Sequence, residues 1–196
     1  MARYAVLGAG GRQVFAAAWD LARFVDAEQI VLVDRNYGAV LDRATALEEQ
    51  FKKRIFVPVM LDATDEKKVA DFLKKFAVDT IVAATDYTHN GAFTILAIEA
   101  RANMVDLGGN TGVVQGQHVF HKMAQEAGVS IIPDCGMGPG LNLNLGVYAA
   151  EKLDDVEELH IYCGGLPQHP EPPFNYALLF NIKGLVNEYS GLAEIL

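Results

Sequence analysis

Short apolar runs alternate with longer amphipathic segments along the first two thirds of the chain. The apolar runs are rich in Val and Ile and lack strict polar alternation, which is typical of parallel strands covered on both faces. They predict six strands, at residues 4–7, 30–33, 55–61, 80–84, 104–107 and 130–132. The segments between them predict five helices, at residues 11–24, 39–51, 66–76, 90–102 and 113–127.

This alternation predicts an α/β fold of the Rossmann type, a doubly wound parallel sheet with the strand order 3-2-1-4-5-6. It stops near Pro133, and the rest of the chain predicts a helix at 141–153 and strands at 156–163 and 176–183. We therefore expect a first domain over residues 1–138 and the start of a second, α+β domain over residues 139–196. The second segment is too short to bury a sizeable core alone.

Charge, cysteine and histidine content exclude several classes of protein. Sixteen basic and 25 acidic residues give a formal net charge of −9, which argues against non-specific binding to nucleic acid or anionic membranes. Cys135 and Cys163 are not a CxxC pair, so no zinc ribbon or disulfide framework is indicated. His118 and His121 have no further ligand motif beside them, so we expect an exposed helical face and no metal.

Neither a secretory signal nor an apolar run of the ~18 residues needed to span a bilayer is evident in the sequence. We therefore expect a cytoplasmic protein whose partner is a small molecule, rather than nucleic acid or a membrane.

A glycine-rich turn follows the first predicted strand and contains Gly8, Gly10, Gly11, Arg12 and Gln13. Glycines at this point allow a tight turn and let backbone N–H groups approach a pyrophosphate at a helix N-terminus. Gln13 stands where the GxGxxG fingerprint has its third glycine, so this turn alone fits a plain strand-to-helix connection equally well. The five residues are candidate cofactor contacts.

The acidic residue that ends the second predicted strand strengthens this interpretation. Asp34 follows Gly10 by 24 residues, close to the ~20 expected for a carboxylate that binds the ribose hydroxyls. Such a carboxylate repels a 2′-phosphate, so we predict NAD as the cofactor in preference to NADP. Arg35 keeps NADP as the alternative, because a guanidinium can contact a 2′-phosphate or stack on adenine.

The turns after the third and fourth predicted strands supply further candidate cofactor contacts. Asp62 and Ala63 follow the third strand and would lie near the adenine, although Asp62 can equally cap the next helix. Ala84 and Thr85 follow the fourth strand, where small side chains let the backbone approach a ligand closely.

Four residues are candidates for a catalytic base. Asp86, Tyr87 and His89 continue the fourth turn, beside the point where the sheet reverses direction. The alternative is that Asp86 caps a helix and that His89 is simply exposed. Asp134 follows the sixth predicted strand and would reach the same edge of the sheet.

The loops after the fifth and sixth strands each contain three glycines, more than a turn needs, which suggests backbone fitted closely around a ligand. Gly109 and Asn110 in the fifth loop are therefore candidate cofactor contacts. Cys135 in the sixth loop has no evident basic partner, so we expect a small packed side chain rather than a nucleophile.

Several motifs in order resemble the saccharopine dehydrogenase family, and within it a lysine 6-dehydrogenase-like branch. They are DLGGNT at 106–111, IPDCGMGPG at 132–140, CGGLP at 163–167 and the pair Asn175-Tyr176. The resemblance implies an NAD(P)-dependent oxidoreductase that moves a hydride from the CH–NH group of an amino acid to nicotinamide, which gives an imine. Asn142, Asn175 and Tyr176 are then candidate substrate contacts.

Members of that family are longer, so we expect a fragment that ends inside the substrate and dimerisation domain. Such a fragment would bind dinucleotide, form a homodimer and turn over no amino acid by itself. The alternative function is a non-catalytic dinucleotide-sensing regulatory module. That module would need neither the glycine loop at 136–140 nor the proline-rich return after Cys163, so these additions favour the enzyme.

Overall fold

A six-stranded parallel sheet forms the centre of residues Met1–Asp134 in the computed structural model, which describes residues 1–11, 14–177 and 182–190. The strands are hydrogen-bonded in the order β3-β2-β1-β4-β5-β6, which confirms the predicted order. Their bounds are β1 Ala2–Leu7, β2 Ala27–Asp34, β3 Phe56–Met60, β4 Thr80–Ala83, β5 Asn103–Asp106 and β6 Ile131–Ile132. Because all the strands are parallel, the loops that follow them share one edge of the sheet, and the strand order reverses between β1 and β4.

Six helices connect these strands. Their bounds are α1 Val14–Phe24, α2 Tyr37–Phe51, α3 Glu66–Phe76, α4 Asn90–Ala100, α5 Thr111–His118 and α6 His121–Ala127. The prediction of a single helix over residues 113–127 is wrong, because the helix is interrupted between α5 and α6. There the Phe120 N–H donates to the Gln117 carbonyl oxygen three residues back, at 3.1 Å, which tightens the backbone into a turn.

Four of these helices end in a residue with left-handed backbone conformation. At the end of α6 this residue is Gly128, with a φ of 72°. At the ends of α2, α3 and α4 it is Lys52, Ala77 and Arg101, with φ values of 54°, 47° and 54°. A side chain in this conformation is strained, because its Cβ lies too close to the following carbonyl oxygen.

The apolar core lies in two layers, one on each face of the sheet. Ala5 and Leu7 of β1 pack into one layer and Val6 into the other, because successive side chains of a strand point to opposite faces. Phe72 and Leu73 of α3 cover the first layer. Coverage on both faces explains why the strands read as continuous apolar runs.

The second unit of the chain, Cys135–Leu196, contains α7 Leu141–Ala150 and α8 Ile182–Tyr189. Residues 156–163 are described and contain no strand, so the strand predicted there is wrong. The strand predicted over 176–183 is wrong where it is described, since its last two residues begin α8, and residues 178–181 lie outside the described residues. A strand needs a hydrogen-bonded neighbour, and the bridges described in this unit join only Gly136 and Met137 to Gly140.

Helix α7 buries none of its side chains. Its large apolar residues are at least half exposed at Leu141, Leu145, Val147 and Tyr148. No helix among the described residues is both long enough and apolar enough to cross a membrane.

Candidate active site

The turn after β1 is tight and held by backbone hydrogen bonds. The N–H groups of Gly8 and Ala9 donate to the Val33 carbonyl oxygen at 2.9 and 3.0 Å, and the Gly11 N–H donates to the Gly8 carbonyl oxygen at 2.9 Å. Gly8 has a φ of +83°, a conformation that favours glycine. The expected contacts Arg12 and Gln13 lie outside the described residues.

Asp34, the last residue of β2, lies against this turn. Its Oδ2 accepts a hydrogen bond from the Gly10 N–H at 3.0 Å, and its Oδ1 accepts one from the Asn36 N–H at 2.9 Å. A Cβ added at Gly10 would lie 2.8 Å from Asp34 Oδ2, so position 10 has no room for a side chain while the carboxylate stays in place. The glycine and the acid are therefore one structural unit.

Two arginines flank that unit. Arg43 of α2 donates from Nη2 to the Gly10 carbonyl oxygen at 2.9 Å. Arg35 is exposed.

Hydrogen bonds from Thr64 lower the pKa of Asp62, because the Thr64 N–H and hydroxyl both donate to Asp62 Oδ1, at 3.0 and 2.8 Å. The nearby charge of Arg35 lowers this pKa further. The contact between Thr64 and Asp62 forms the turn before α3.

The strand ends of β1 and β4 approach each other closely. A Cβ added at Gly8 would lie 2.5 Å from the Ala84 carbonyl oxygen and 3.3 Å from Thr85 Cγ2. The Thr85 hydroxyl oxygen is buried and has no hydrogen-bond partner in the described structure. An unpaired buried hydroxyl at a ligand-binding edge fits a polar group supplied by a ligand. Ala63, by contrast, packs against the core.

The residues after β4 form a 3-10 turn, Tyr87–His89. Asp86 caps it, since its Oδ1 accepts from the Thr88 N–H at 3.0 Å and from the Thr88 hydroxyl at 2.7 Å. The His89 ring is half-buried and lies against Phe93, with 6.0 Å between the ring centroids. These contacts match the structural alternative for Asp86 and give His89 a packing role.

A buried polar network lies under the loop after β5. Asp106 is 0% exposed and Gln117 is 4% exposed. The Gln117 amide donates to Asp106 Oδ2 at 2.7 Å and to the Thr94 hydroxyl at 3.0 Å. The Gly108 N–H donates to the other carboxylate oxygen of Asp106 at 2.8 Å. Three elements thus fix the position of this loop.

Asp134 lies against the same loop. Its carboxylate contacts the position where Gly108 would carry a Cβ, and the Gly109 N–H donates to it. Burial and, secondarily, the nearby charge of Asp106 raise the pKa of Asp134, against the opposing effects of the Gly109 hydrogen bond and of His118. Tyr87 reaches the loop from the other side, 3.3 Å from a Cβ added at Gly109.

The remaining residues of this region have structural contacts. Asn110 caps α5, since its side chain accepts from the Val113 N–H at 3.1 Å. His118 and His121 are exposed, as expected, and line a cavity of about 400 Å³ beside β6. No group of three metal-binding side chains occurs among the described residues.

The second unit contains the candidate substrate contacts. A Cβ added at Gly138 would lie 2.7 Å from Cys163 Sγ and 2.8 Å from Asn142 Nδ2, so this loop packs tightly against both side chains. Asn175 is exposed with a φ of +53°, and Tyr176 is half-buried. Cys135 is exposed, so the expectation of a packed side chain there is wrong.

Most of this chain matches a known protein family. Residues 4–132 match the model of the saccharopine dehydrogenase NADP binding domain. The chain belongs to the saccharopine dehydrogenase family. Its fold is thus that of a nicotinamide dinucleotide-binding domain, and the resemblance to this family is confirmed at the level of the family. The family description names NADP, whereas Asp34 led us to expect NAD.

Curated relatives of this saccharopine dehydrogenase family member are much longer than the chain. It is 26% identical over 164 residues to the mitochondrial alpha-aminoadipic semialdehyde synthase of Mus musculus, covering 78% of this chain and 17% of that protein. The protein of the same name from Bos taurus is 24% identical over 152 residues, which cover 74% of this chain and 16% of the relative. The chain thus spans about a sixth of the length of these relatives.

Solved structures show the same fold. Saccharopine dehydrogenase (L-Glu forming) from Saccharomyces cerevisiae superposes with a TM-score of 0.55 at 18% identity, covering 78% of this chain and 30% of that one. A ketoreductase from the first module of phoslactomycin biosynthesis in Streptomyces sp. HK803 gives 0.54 at 16% identity, covering 67% and 40%. At such identities the likeness establishes the Rossmann fold alone.

Sequence reasoning assigned no role to Arg43, Asp106, Gln117 and Thr94. The one available signal was Asp106, a carboxylate that ends a buried strand and must therefore find donors. Nothing in the sequence indicated a role for Arg43, because a half-exposed arginine on an amphipathic helix is an ordinary surface residue.

Proposed function

We propose that this saccharopine dehydrogenase family member is the coenzyme-binding part of an NAD(P)-dependent oxidoreductase acting on the CH–NH group of an amino acid. The observation that carries the proposal is the Gly10–Asp34 contact, which joins a pyrophosphate-type loop to a ribose-type acid in a chain of this family. The relatives named for saccharopine and for alpha-aminoadipic semialdehyde support an amino acid as substrate.

The residues at the sheet edge fit a dinucleotide. Gly8 and Gly10 have no room for a Cβ, and Thr85 offers a buried hydroxyl that lacks a partner among the described residues. We assign the glycine turn to the pyrophosphate, Asp34 to the ribose hydroxyls, and Arg35 with Asp62 to the adenine side. When bound, the oxidised nicotinamide accepts a hydride from the substrate carbon.

Oxidation of a CH–NH group also releases a proton, which a base must accept. We assign this role to Asp134, because a carboxyl with a raised pKa is a stronger base near neutral pH than an ordinary one. Asp86 is committed to Thr88, and His89 packs on Phe93, which supports the choice. Tyr87, beside Gly109, is the second candidate.

Binding and turnover test the proposal separately. Calorimetric titration of the chain with NAD and with NADP should show binding of at least one, and binding of neither would disprove the assignment. Appearance of reduced nicotinamide with lysine or saccharopine, catalysed by the product of the complete reading frame, would establish the oxidoreductase. Binding without such turnover would favour a dinucleotide-sensing module instead.

We also propose that the chain forms a homodimer. The exposed apolar residues of α7 form a surface that water disfavours, and self-association would cover it. Light scattering should give at least twice the chain's mass of 21.3 kDa, and a monomer at all concentrations would disprove it.

A further inference from the structure

Arg43 holds the glycine turn from the side of α2. Its Nη2 donates to the Gly10 carbonyl oxygen at 2.9 Å, and its guanidinium lies over the Phe15 ring, 5.6 Å from the centroid. We infer that Arg43 is a positioning residue for dinucleotide binding, which acts by fixing the orientation of the Gly10–Gly11 peptide. The inference rests on the proposed function of the glycine turn.

That peptide is restrained at both of its polar groups. Arg43 binds the Gly10 carbonyl oxygen, and the Gly11 N–H donates to the Gly8 carbonyl oxygen at 2.9 Å. Because a peptide unit is planar, fixing its carbonyl group also fixes its N–H group. Glycine itself restricts the backbone little, so the orientation is set by these two hydrogen bonds.

The direction of the Gly10 carbonyl group matters for an anionic ligand. A carbonyl oxygen carries partial negative charge and would repel a pyrophosphate that it faced. The bond to Arg43 keeps the Gly10 oxygen on the α2 side, while Asp34 holds the preceding N–H group. The turn is thereby set for a dinucleotide before one binds, which lowers the entropic cost of binding.

Arg43 is suited to a substitution test. It makes no ion pair among the described residues, so its replacement leaves no carboxylate there without a partner. Arg43→Met removes the donor and keeps an apolar stem beside Phe15. Arg43→Lys keeps a donor and a charge. Arg23→Met is the matched control, because Arg23 also lies over an aromatic ring, 4.9 Å from the Trp19 centroid, but at the far end of α1.

Calorimetric titrations with NAD and NADP should show that Arg43→Met raises Kd about tenfold for both coenzymes, because the ligand must then order a turn that Arg43 no longer holds, at a cost comparable to fixing the backbone of one residue. Arg43→Lys should retain most of the affinity, and Arg23→Met should bind as the unchanged chain does. The melting temperature of ligand-free Arg43→Met should fall only slightly below that of Arg23→Met, because a single hydrogen bond is lost.

Three results would overturn the inference. Unchanged Kd values in Arg43→Met would remove the positioning role. A loss for NADP alone would make Arg43 a ligand of the 2′-phosphate. A melting temperature well below that of the control would assign Arg43 to folding. If the unchanged chain binds neither coenzyme, the proposed function itself fails, which is a separate and distinguishable outcome.

Discussion

The carboxylate of Asp34 accepts a hydrogen bond from the Gly10 N–H at 3.0 Å, across 24 residues of sequence. The bond joins the end of β2 to the turn after β1. The group that would select the ribose and the turn that would hold the pyrophosphate therefore keep a fixed separation. A substitution at either residue should therefore change the position of the other.

Coenzyme preference should depend on Asp34. We expect NAD to bind more tightly than NADP, because a carboxylate repels a 2′-phosphate. Asp34→Ser should narrow or reverse the ratio of the two Kd values, with Arg35 then available to a phosphate. Calorimetry with both coenzymes measures the ratio, and the exposed Asp42→Ser on α2 is the charge-matched control. A tenfold preference of the unchanged chain for NADP would contradict this role of Asp34.

Gly10→Val should abolish dinucleotide binding and leave the fold intact. The new Cβ would collide with the Asp34 carboxylate, which can rotate away into solvent at the cost of its bond to the turn. Gly91→Val on α4 is the control, since a Cβ there meets nothing within 4 Å. Circular dichroism should match for both variants, while calorimetry should detect NAD binding only in the control. Undiminished binding by Gly10→Val would rule out the first turn as the pyrophosphate site.

Gln117→Met should destabilise the chain by about 2 kcal/mol, because it removes a hydrogen bond to a fully buried carboxylate. The lost donor is the amide that lies 2.7 Å from Asp106 Oδ2. Gln115→Met, on the exposed side of the same helix, should change the stability little. Urea unfolding of both variants measures the difference, and equal midpoints would show that the network contributes nothing to folding.

Asp134→Asn should change how stability depends on pH. Because the pKa of Asp134 is raised, the folded chain keeps this proton over a range in which the unfolded chain has lost it. The stabilisation is therefore complete below the ordinary carboxyl pKa and is lost as the pH rises through the raised value. Relative to the unchanged chain, Asp134→Asn should gain melting temperature as the pH rises above the ordinary carboxyl pKa of about 4. A difference that stays constant as the pH rises would contradict it.

The sheet was predictable from sequence because its central strands β1, β2 and β4 are buried on both faces. A run of apolar residues such as Val31 to Val33 indicates this burial by itself, without knowledge of the residues that surround it in the fold. The run at 156–163 also contains Val, Ile and Tyr, which favour strands, but it has no strand to pair with among the described residues, and composition cannot reveal a missing neighbour. The break after His118 depends on a local turn rather than on the apolar period, so it was not visible either.

The candidate site was predictable where functional residues lie at or just after the end of a strand, as Gly10 and Asp34 do. It was not predictable where contacts join distant elements. Gln117 meets Asp106 and Thr94 only because α5, β5 and α4 come together in the fold. The spacing of residues along the sequence does not show which distant elements pack together in the fold.

Glycine substitutions at the left-handed ends of α2, α3 and α4 should increase the stability of the chain. Lys52, Ala77 and Arg101 each precede the start of a strand, at the edge of the sheet opposite to the glycine turns. Glycine at these positions would relieve about 1 kcal/mol of backbone strain apiece. A background carrying all three replacements would be more stable than the present chain, and it would widen the range of temperature over which binding by variants such as Gly10→Val can be measured on folded protein.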